Sequence, residues 1–178
     1  MSRETGAKPE GTVLETERLL LRPFVPGDLE AFASVFADPE VTRFLGFESG
    51  SFDRCRRELE FWMDAYGRQG FGMLAVVSKA EGELIGRCGF ARWEVEGAQE
   101  VELGCVLKRE YWGRGLATEA ASALRDHGFQ TLGFTRLVSV LHPDDPASER
   151  VARKIGMAYE RNVHTFAQRL LLFALHRT

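Results

Sequence analysis

The stretch REYWGRGLATEA, Arg109 to Ala120, sets two glycines around an arginine just before a helix-forming run. A turn that feeds a strand into a helix leaves the first four amides of that helix without intrahelical partners, so their N–H groups point at whatever lies in front. Gly113 and Gly115 keep side chains out of that space, Arg114 adds a positive charge, and Thr118 brings a hydroxyl from the first helical turn. Such a turn can hold an anion, a phosphate above all; the other reading is a tight turn that merely needs positive φ. Two phosphate loops are excluded by spacing. The chain has no GxxxxGK[ST], and this stretch lacks the GxGxxG order with an acidic partner about 20 residues on.

The strand before the turn carries the next chemistry. In EVELG, alternation sends Val101 and Leu103 to one face and Glu100 and Glu102 to the other. Glu102 is the candidate general base, and a solvated or ion-paired strand carboxylate is the plain alternative. Cys105 tempts a covalent mechanism, but nothing beside it in the sequence lowers a thiol pKa, which favours a buried strand cysteine. In PDDPASERVARKIG, Asp145 followed by Pro146 forms a helix N-cap and first-turn pair, with Ser148 three residues on. His127 and His164 have no ligand spacing, and Cys55, Cys88 and Cys105 are odd in number and widely spaced. Neither a metal site nor a disulfide framework is expected.

These residues need elements to hold them. LETERLLLRPF (14–24) reads as a strand ended by PGD, and Asp28 as the N-cap of a helix that Pro39 ends. A second helix is predicted from Ser51, with Leu59, Trp62, Met63 and Tyr66 on one face and Gly67 at its stop. FGMLAVVSK and ELIGRCGFAR flank AEG as a hairpin, and QEVELGCVL runs into the glycine turn. In the helix LATEAASALRDHGFQ, Ala117, Ala120, Ala121, Leu124 and Gly128 form one small face that lies close on a sheet. A strand RLVSVLH, a turn PDDP, a helix ended by Gly156 and two strands, MAYERNVHTF and RLLLFALH, complete the order. The crossover helix makes VELGCVL and RLVSVLH parallel neighbours in an α/β sheet that is antiparallel before them. Phe44, Phe47, Trp62 and Trp93 could line a pocket but at their spacings read as core, while TRFLGFESG reads as a loop that closes over a substrate.

Composition narrows the function classes. With 178 residues and 44% hydrophobic content the chain fills one core, so one domain is expected over 13–178 behind a disordered lead-in at 1–12. A net charge of −3 with scattered basic residues speaks against nucleic acid as a partner. No apolar run reaches the roughly 20 residues of a membrane helix, and the N-terminus has no signal-peptide core, so a cytoplasmic protein is expected.

TERLLLRPF at the start, VELGCVLKREYWGRGLATEAASAL in the middle and PASERVARKIGM near the end, in that order, carry a resemblance over nearly the whole chain. The chain resembles the GNAT superfamily of acetyl-coenzyme A-dependent N-acetyltransferases, and within it the RimJ/RimL-like branch of ribosomal-protein N-terminal acetyltransferases. The resemblance implies a mixed α/β (α+β) fold whose mostly antiparallel central sheet has two splayed parallel strands and flanking helices. It implies acetyl-CoA as cosubstrate and no metal. The family's pyrophosphate loop [QR]xxGx[GA] falls on Trp112 to Ala117, with Trp112 in place of Gln or Arg. Gly113, Arg114, Gly115, Leu116, Ala117 and Thr118 would hold the pyrophosphate, and the main chain of Cys105, Val106 and Leu107 would pair with the pantetheine arm. The Val106 amide would polarise the thioester carbonyl, and Glu102 would act as base.

Asp145 stands where the family usually has Asn, and it accepts but does not donate as an amide does. Ala152 stands where many members carry a general-acid Tyr, which leaves Ser148 as the substitute acid, with Tyr159 and His142 behind it. The reaction implied is direct acetyl transfer to a primary amine, a protein N-terminal α-amine by branch resemblance. A small amine (polyamine, amino acid or aminoglycoside) and a non-catalytic acyl-CoA sensor stay as alternatives. The apolar run RLLLFALH fits either the sheet or a homodimer contact.

Overall fold

A computed structural model describes residues 11–165 and 167–178. The lead-in expected at 1–12 lies, but for its last two positions, outside the described residues. All eight strands join one sheet: β1 (Leu14–Glu15), β2 (Leu19–Arg22), β3 (Met73–Ser78), β4 (Leu84–Val95), β5 (Ala98–Leu107), β6 (Arg136–Leu141), β7 (Ala158–Thr165) and β8 (Gln168–His176). Their order is β1-β2-β3-β4-β5-β6-β8-β7, and every neighbouring pair is antiparallel except β5–β6. The fold is the mixed, mostly antiparallel sheet with one parallel pair and flanking helices that the sequence led us to expect.

The first predicted strand is in fact two. Thr16 breaks it: its hydroxyl accepts from the Leu19 amide at 3.1 Å and its own amide donates to the Leu19 carbonyl at 2.9 Å, closing a turn between β1 and β2. Helix α1 (Leu29–Val35) stops four residues before Pro39, which instead begins the short helix α2 (Pro39–Thr42) behind an Asp38 cap. Asp28 precedes α1 without capping it through its side chain. Its buried carboxylate accepts from Arg22 at 2.7 and 2.8 Å and from the Val25 amide at 2.9 Å, which pins the chain between β2 and α1.

Helix α3 (Phe52–Gln69) starts on the Ser51 cap as expected but runs through Gly67 and ends at Gly70, whose φ of +73° is the left-handed conformation that glycine adopts most easily. Helix α4 (Leu116–Gln130) is the crossover between β5 and β6, and its Ala120, Ala121, Leu124 and Gly128 are buried on the sheet. Helix α5 (Pro146–Lys154) leads from β6 to β7. Strand β8 sits between β6 and β7, which places RLLLFALH within the sheet.

Two large hydrophobic cores, and a smaller one of Val95, Val138, Val163, Leu172 and Ala174, pack against this sheet. On the α4/α5 side, Leu19, Leu21, Ile85, Phe90, Leu103, Leu107, Leu124 and Phe173 are buried together. On the α1/α3 side, Phe24, Phe32, Phe36, Leu59, Met73 and Leu84 form the second, with Trp62 and Phe47 packed against them. Burying such side chains stabilises the fold by roughly 1.5–3 kcal/mol each. No helix among the described residues is long and apolar enough to cross a membrane.

Candidate active site

The one parallel pair is where the sheet opens. β5 and β6 register only at Glu102 and Val138, and beyond that point the strands part. Polar side chains bridge the place where they separate. The Ser139 hydroxyl donates to the Leu103 carbonyl at 2.7 Å, and the Val140 amide donates to Glu102 Oε1 at 3.2 Å.

Which amides of β5 face this gap follows from the ladder. The Phe90 amide donates to Gly72 on the β3 side, and the Lys108 amide donates to Ile85 on β4. Antiparallel pairs alternate between bonded and unbonded, so Glu102, Gly104 and Val106 turn their main-chain groups to β4, while Leu103, Cys105 and Leu107 turn theirs to the gap. Two side-chain bonds agree: Ser139 reaches the Leu103 carbonyl, and Trp112 Nε1 donates to the Leu107 carbonyl at 2.8 Å. The Val106 amide, expected to polarise a carbonyl, is therefore turned to Arg87 across the ladder, and the amides of its neighbours Cys105 and Leu107 open onto the gap.

After β5 a 3-10 turn, Arg109–Tyr111, leads into the glycine turn. Gly113 and Gly115 take φ of +73° and +77°, the left-handed region, and Gly115 stands as N-cap of α4 with no side-chain cap. A Cβ at Gly113 would meet nothing within 4 Å, so the glycines supply backbone direction and an open front rather than relief from crowding. Among the described residues no acceptor meets the amides of Gly113 to Thr118; the first bond of α4 runs from Glu119 to the Gly115 carbonyl at 3.0 Å. Leu116 is buried beneath this row, Ala117 and Thr118 are half-buried, and Arg114 is exposed with its guanidinium over the Tyr111 ring. The donor set suits a pyrophosphate: a row of unpartnered N–H groups, a helix N-terminus and an arginine.

Glu102 sits at the inner end of the gap. Its carboxylate is closely surrounded, and this burial pushes its pKa above the usual carboxylate range, against the smaller opposing pulls of the Val140 amide and the Arg87 charge. Glu100, on the same face, is drawn off into an ion pair with Arg136 at 3.0 Å, which Arg136 shares with Glu160 at 2.7 Å. Cys105 packs toward the α4 side directly opposite Cys88, whose thiol is pushed well up by burial and then by its neighbour Cys105. A pair so placed gives no sign of a nucleophile.

The other arm of the gap is β6 with the start of α5. Asp145 caps α5, its Oδ1 accepting from the Ser148 amide at 3.1 Å and its Oδ2 from the Ser148 hydroxyl at 2.7 Å. His142 at the end of β6 stacks on Phe44 with ring centroids 4.9 Å apart. Phe44 belongs to the loop between α2 and α3, and Asp38, at the start of α2, reaches Arg109 on the other arm at 3.7 Å. That region thus touches both sides of the opening. Tyr159 lies on β7, two strands out from β6 and 46% exposed, and Ala152 is buried in the core. The structure does not bring Tyr159 to the gap.

Sequence reasoning missed a buried charge trio beside Glu102. Glu58 of α3 pairs with Arg54 at 2.8 Å and with Arg87 of β4 at 3.2 Å, and both Glu58 and Arg87 keep only 13% of their side chains exposed. The one available signal was an arginine inside the apolar strand LIGRCGF. Among the described residues no group of three or more His, Cys, Asp or Glu side chains is gathered as for a metal.

A strand that parts from its parallel neighbour beside a glycine turn opening a helix leaves an extended main-chain edge next to a row of free amides. A family model described as Acetyltransferase (GNAT) domain matches residues 18–158. The uncharacterized N-acetyltransferase YoaA of Bacillus subtilis (strain 168) is 31% identical over 149 residues, 83% of this chain and 84% of that one. The acetyltransferase from Agrobacterium tumefaciens str. C58 is similar in structure with a TM-score of 0.78 and 30% identity, over 99% of this chain and 100% of that one. RimL, a ribosomal L7/L12 alpha-N-protein acetyltransferase in complex with coenzyme A, shares the fold with a TM-score of 0.78 and 18% identity, over 93% and 97% of the two chains. The chain belongs to the GNAT family of acetyltransferases, enzymes that use acetyl-CoA.

Proposed function

We propose that this enzyme acetylates an α-amine, with a protein N-terminus as the acceptor, as the RimJ/RimL-like branch does. The observation that carries the reading is Glu102: a carboxylate with a raised pKa at the inner end of the gap, next to the strand amides that face it. Acetyl-CoA, when bound, supplies an acetyl group already activated as a thioester. The amides of Gly113 to Thr118, with Arg114, hold the pyrophosphate, and the main chain of Cys105 and Leu107 pairs with the pantetheine arm. The Cys105 amide takes the role first expected of Val106 and polarises the carbonyl. Glu102 accepts the proton that the amine loses, directly or through water. An α-amine with pKa near 8 is already partly neutral, so a base of modest strength suffices. Ser148, whose hydroxyl hydrogen rests on Asp145 Oδ2, turns it to the departing sulfur, giving the free thiol, and recovers a proton from solvent.

The acceptor enters from the α1/α3 side. There Arg54, Glu58 and Arg87 lie beside Glu102, two positive charges against two negative once Glu102 is ionised, so this cluster does not itself select the charge of the acceptor. Thiol release from acetyl-CoA, measured against short peptides with free Ala, Ser or Met N-termini, spermidine, an aminoglycoside and free amino acids, tests the reading. Turnover confined to peptides supports it, turnover on a small amine alone moves the acceptor, and cofactor binding without any turnover moves the protein to the sensor alternative.

A further inference from the structure

The TERL motif takes no part in the site described above, yet its arginine ends at the phosphate loop. Arg18, at the turn between β1 and β2, donates from Nη1 to the Arg114 carbonyl at 2.8 Å. The same side chain binds Glu119 of α4, with Nε on Oε2 at 2.7 Å and Nη2 on Oε2 at 2.7 Å. The Arg18 amide and the Thr16 hydroxyl add bonds to Glu119 Oε1 at 2.8 and 2.6 Å. Glu119 thus takes donors on both oxygens, and these hold its pKa below the ordinary range although burial pulls the other way.

Two physical consequences follow at the anion cradle. The Arg114 carbonyl and the Gly115 N–H belong to one planar trans peptide and point in opposite directions. Fixing the carbonyl on Arg18 therefore turns the Gly115 N–H away from Arg18, toward the open front of the loop. Glu119 is also a negative charge in the first turn of the helix whose N-terminus would receive a pyrophosphate, and Arg18 neutralises it there. Arg18 lies so close that its Nη2 is 3.6 Å from where a Gly115 Cβ would stand.

We propose that Arg18 is the positioning residue of the pyrophosphate loop, setting the direction of the Gly115 amide and cancelling the Glu119 charge, without itself being a phosphate ligand. The proposal rests on the reading of Gly113 to Thr118 as the pyrophosphate site. The full chain is compared with R18A, R18K and R18A/E119Q by calorimetric titration with CoA and with pantetheine, which lacks the pyrophosphate, and by thermal unfolding without ligand. Expected for R18A is a CoA Kd weaker by roughly tenfold or more, the scale of a charged hydrogen bond lost, with pantetheine binding unchanged. The same split is expected in kinetics, where KM rises for acetyl-CoA but not for acetyl-pantetheine while kcat holds. R18K should regain part of the loss through its charge, and R18A/E119Q should regain part by removing the unpaired carboxylate.

An R18A protein that binds CoA like the wild type overturns the role of Arg18 alone. Equal weakening of CoA and pantetheine together with a lower Tm reduces Arg18 to a structural contact. A double variant no better than R18A makes Arg18 a direct phosphate ligand instead. Failure of the wild type to bind CoA, with pantetheine binding intact, overturns the loop assignment and this role with it.

Discussion

The Val140 amide of one strand donates to the Glu102 carboxylate of its parallel neighbour at 3.2 Å, two residues beyond Val138, the register partner of Glu102. A main-chain group that would otherwise sit unpaired where the strands part is satisfied by the side chain that we assign as base. Fold and chemistry therefore pull on the same carboxylate. Because burial raises its pKa, ionised Glu102 is a cost to the folded state: the stability it contributes is present below its unfolded pKa and is lost as pH rises through the folded value. E102Q should accordingly raise Tm at neutral pH, with the difference from wild type closing on acidification. Its kcat should fall about 10²-fold or more, the usual share of a general base. The acidic limb of the kcat profile, which in the wild type lies above the ordinary glutamate range, should vanish, while the alkaline behaviour set by the amine stays. Unchanged kcat in E102Q would return Glu102 to the plain strand carboxylate of the alternative reading.

Asp145 can be separated from its expected pantetheine contact by chemistry. As a cap it accepts from the Ser148 amide, and an asparagine oxygen accepts as well. D145N should therefore leave Tm within about 2 °C, while its new N–H donors lower the KM for acetyl-CoA. D145A should lose about 1 kcal/mol of stability, the ordinary cost of a lost N-cap. Paired unfolding curves and KM values decide the matter; if D145N raises KM, no amide-type contact forms at this position.

The order of elements and the crossover were legible because both rest on side-chain period, which a sequence displays directly. The glycine turn was legible for the same reason, since positive φ falls on Gly113 and Gly115. The Val106 amide was misassigned for a definite cause. Side chains alternate above and below a strand, and amides alternate left and right with the same period of two, but only the register against β4 fixes which residues turn left. The sequence pattern stops helix α3 at Gly67, three residues short of its end at Gly70. The helix absorbs the first at a cost of about 1 kcal/mol and ends at the second. The Arg18–Glu119 clamp joins residues 101 positions apart, and no local pattern announces such a pair.

Trp112 occupies the position where the family motif carries Gln or Arg, and its indole N–H closes the Leu107 carbonyl at the outer end of the gap. The ring is 47% exposed, so packing does not account for its placement. W112F keeps an aromatic ring and deletes only the donor. A neutral hydrogen bond is worth about 0.5–1.5 kcal/mol net, which predicts a KM for acetyl-CoA roughly two- to tenfold higher with kcat nearly unchanged. W112Q should fall between the two, because glutamine offers a donor on a shorter arm. A W112F enzyme with wild-type KM and Kd would show that the Leu107 carbonyl needs no such closure.

Phe44 gives the clearest way to separate acceptor from cosubstrate. It belongs to neither hydrophobic core and stacks on His142 over the arm of β6, while Phe47 of the same loop packs against Phe36 in the α1/α3 core. Two aromatics three residues apart are therefore held differently, one against His142 beside the opening and one against the α1/α3 core. F44A removes a stacking contact of about 0.5–1.5 kcal/mol with His142 and leaves the phosphate loop untouched. The acceptor KM should rise several-fold while the KM for acetyl-CoA and the Tm stay close to wild type. F47A, by contrast, removes a partly buried ring from beside Phe36 and should lower stability by about 1.5–3 kcal/mol, with any kinetic loss following from that. If F44A raises the KM for acetyl-CoA and leaves the acceptor KM alone, the loop belongs to the cosubstrate, and the acceptor must enter elsewhere than the α1/α3 side.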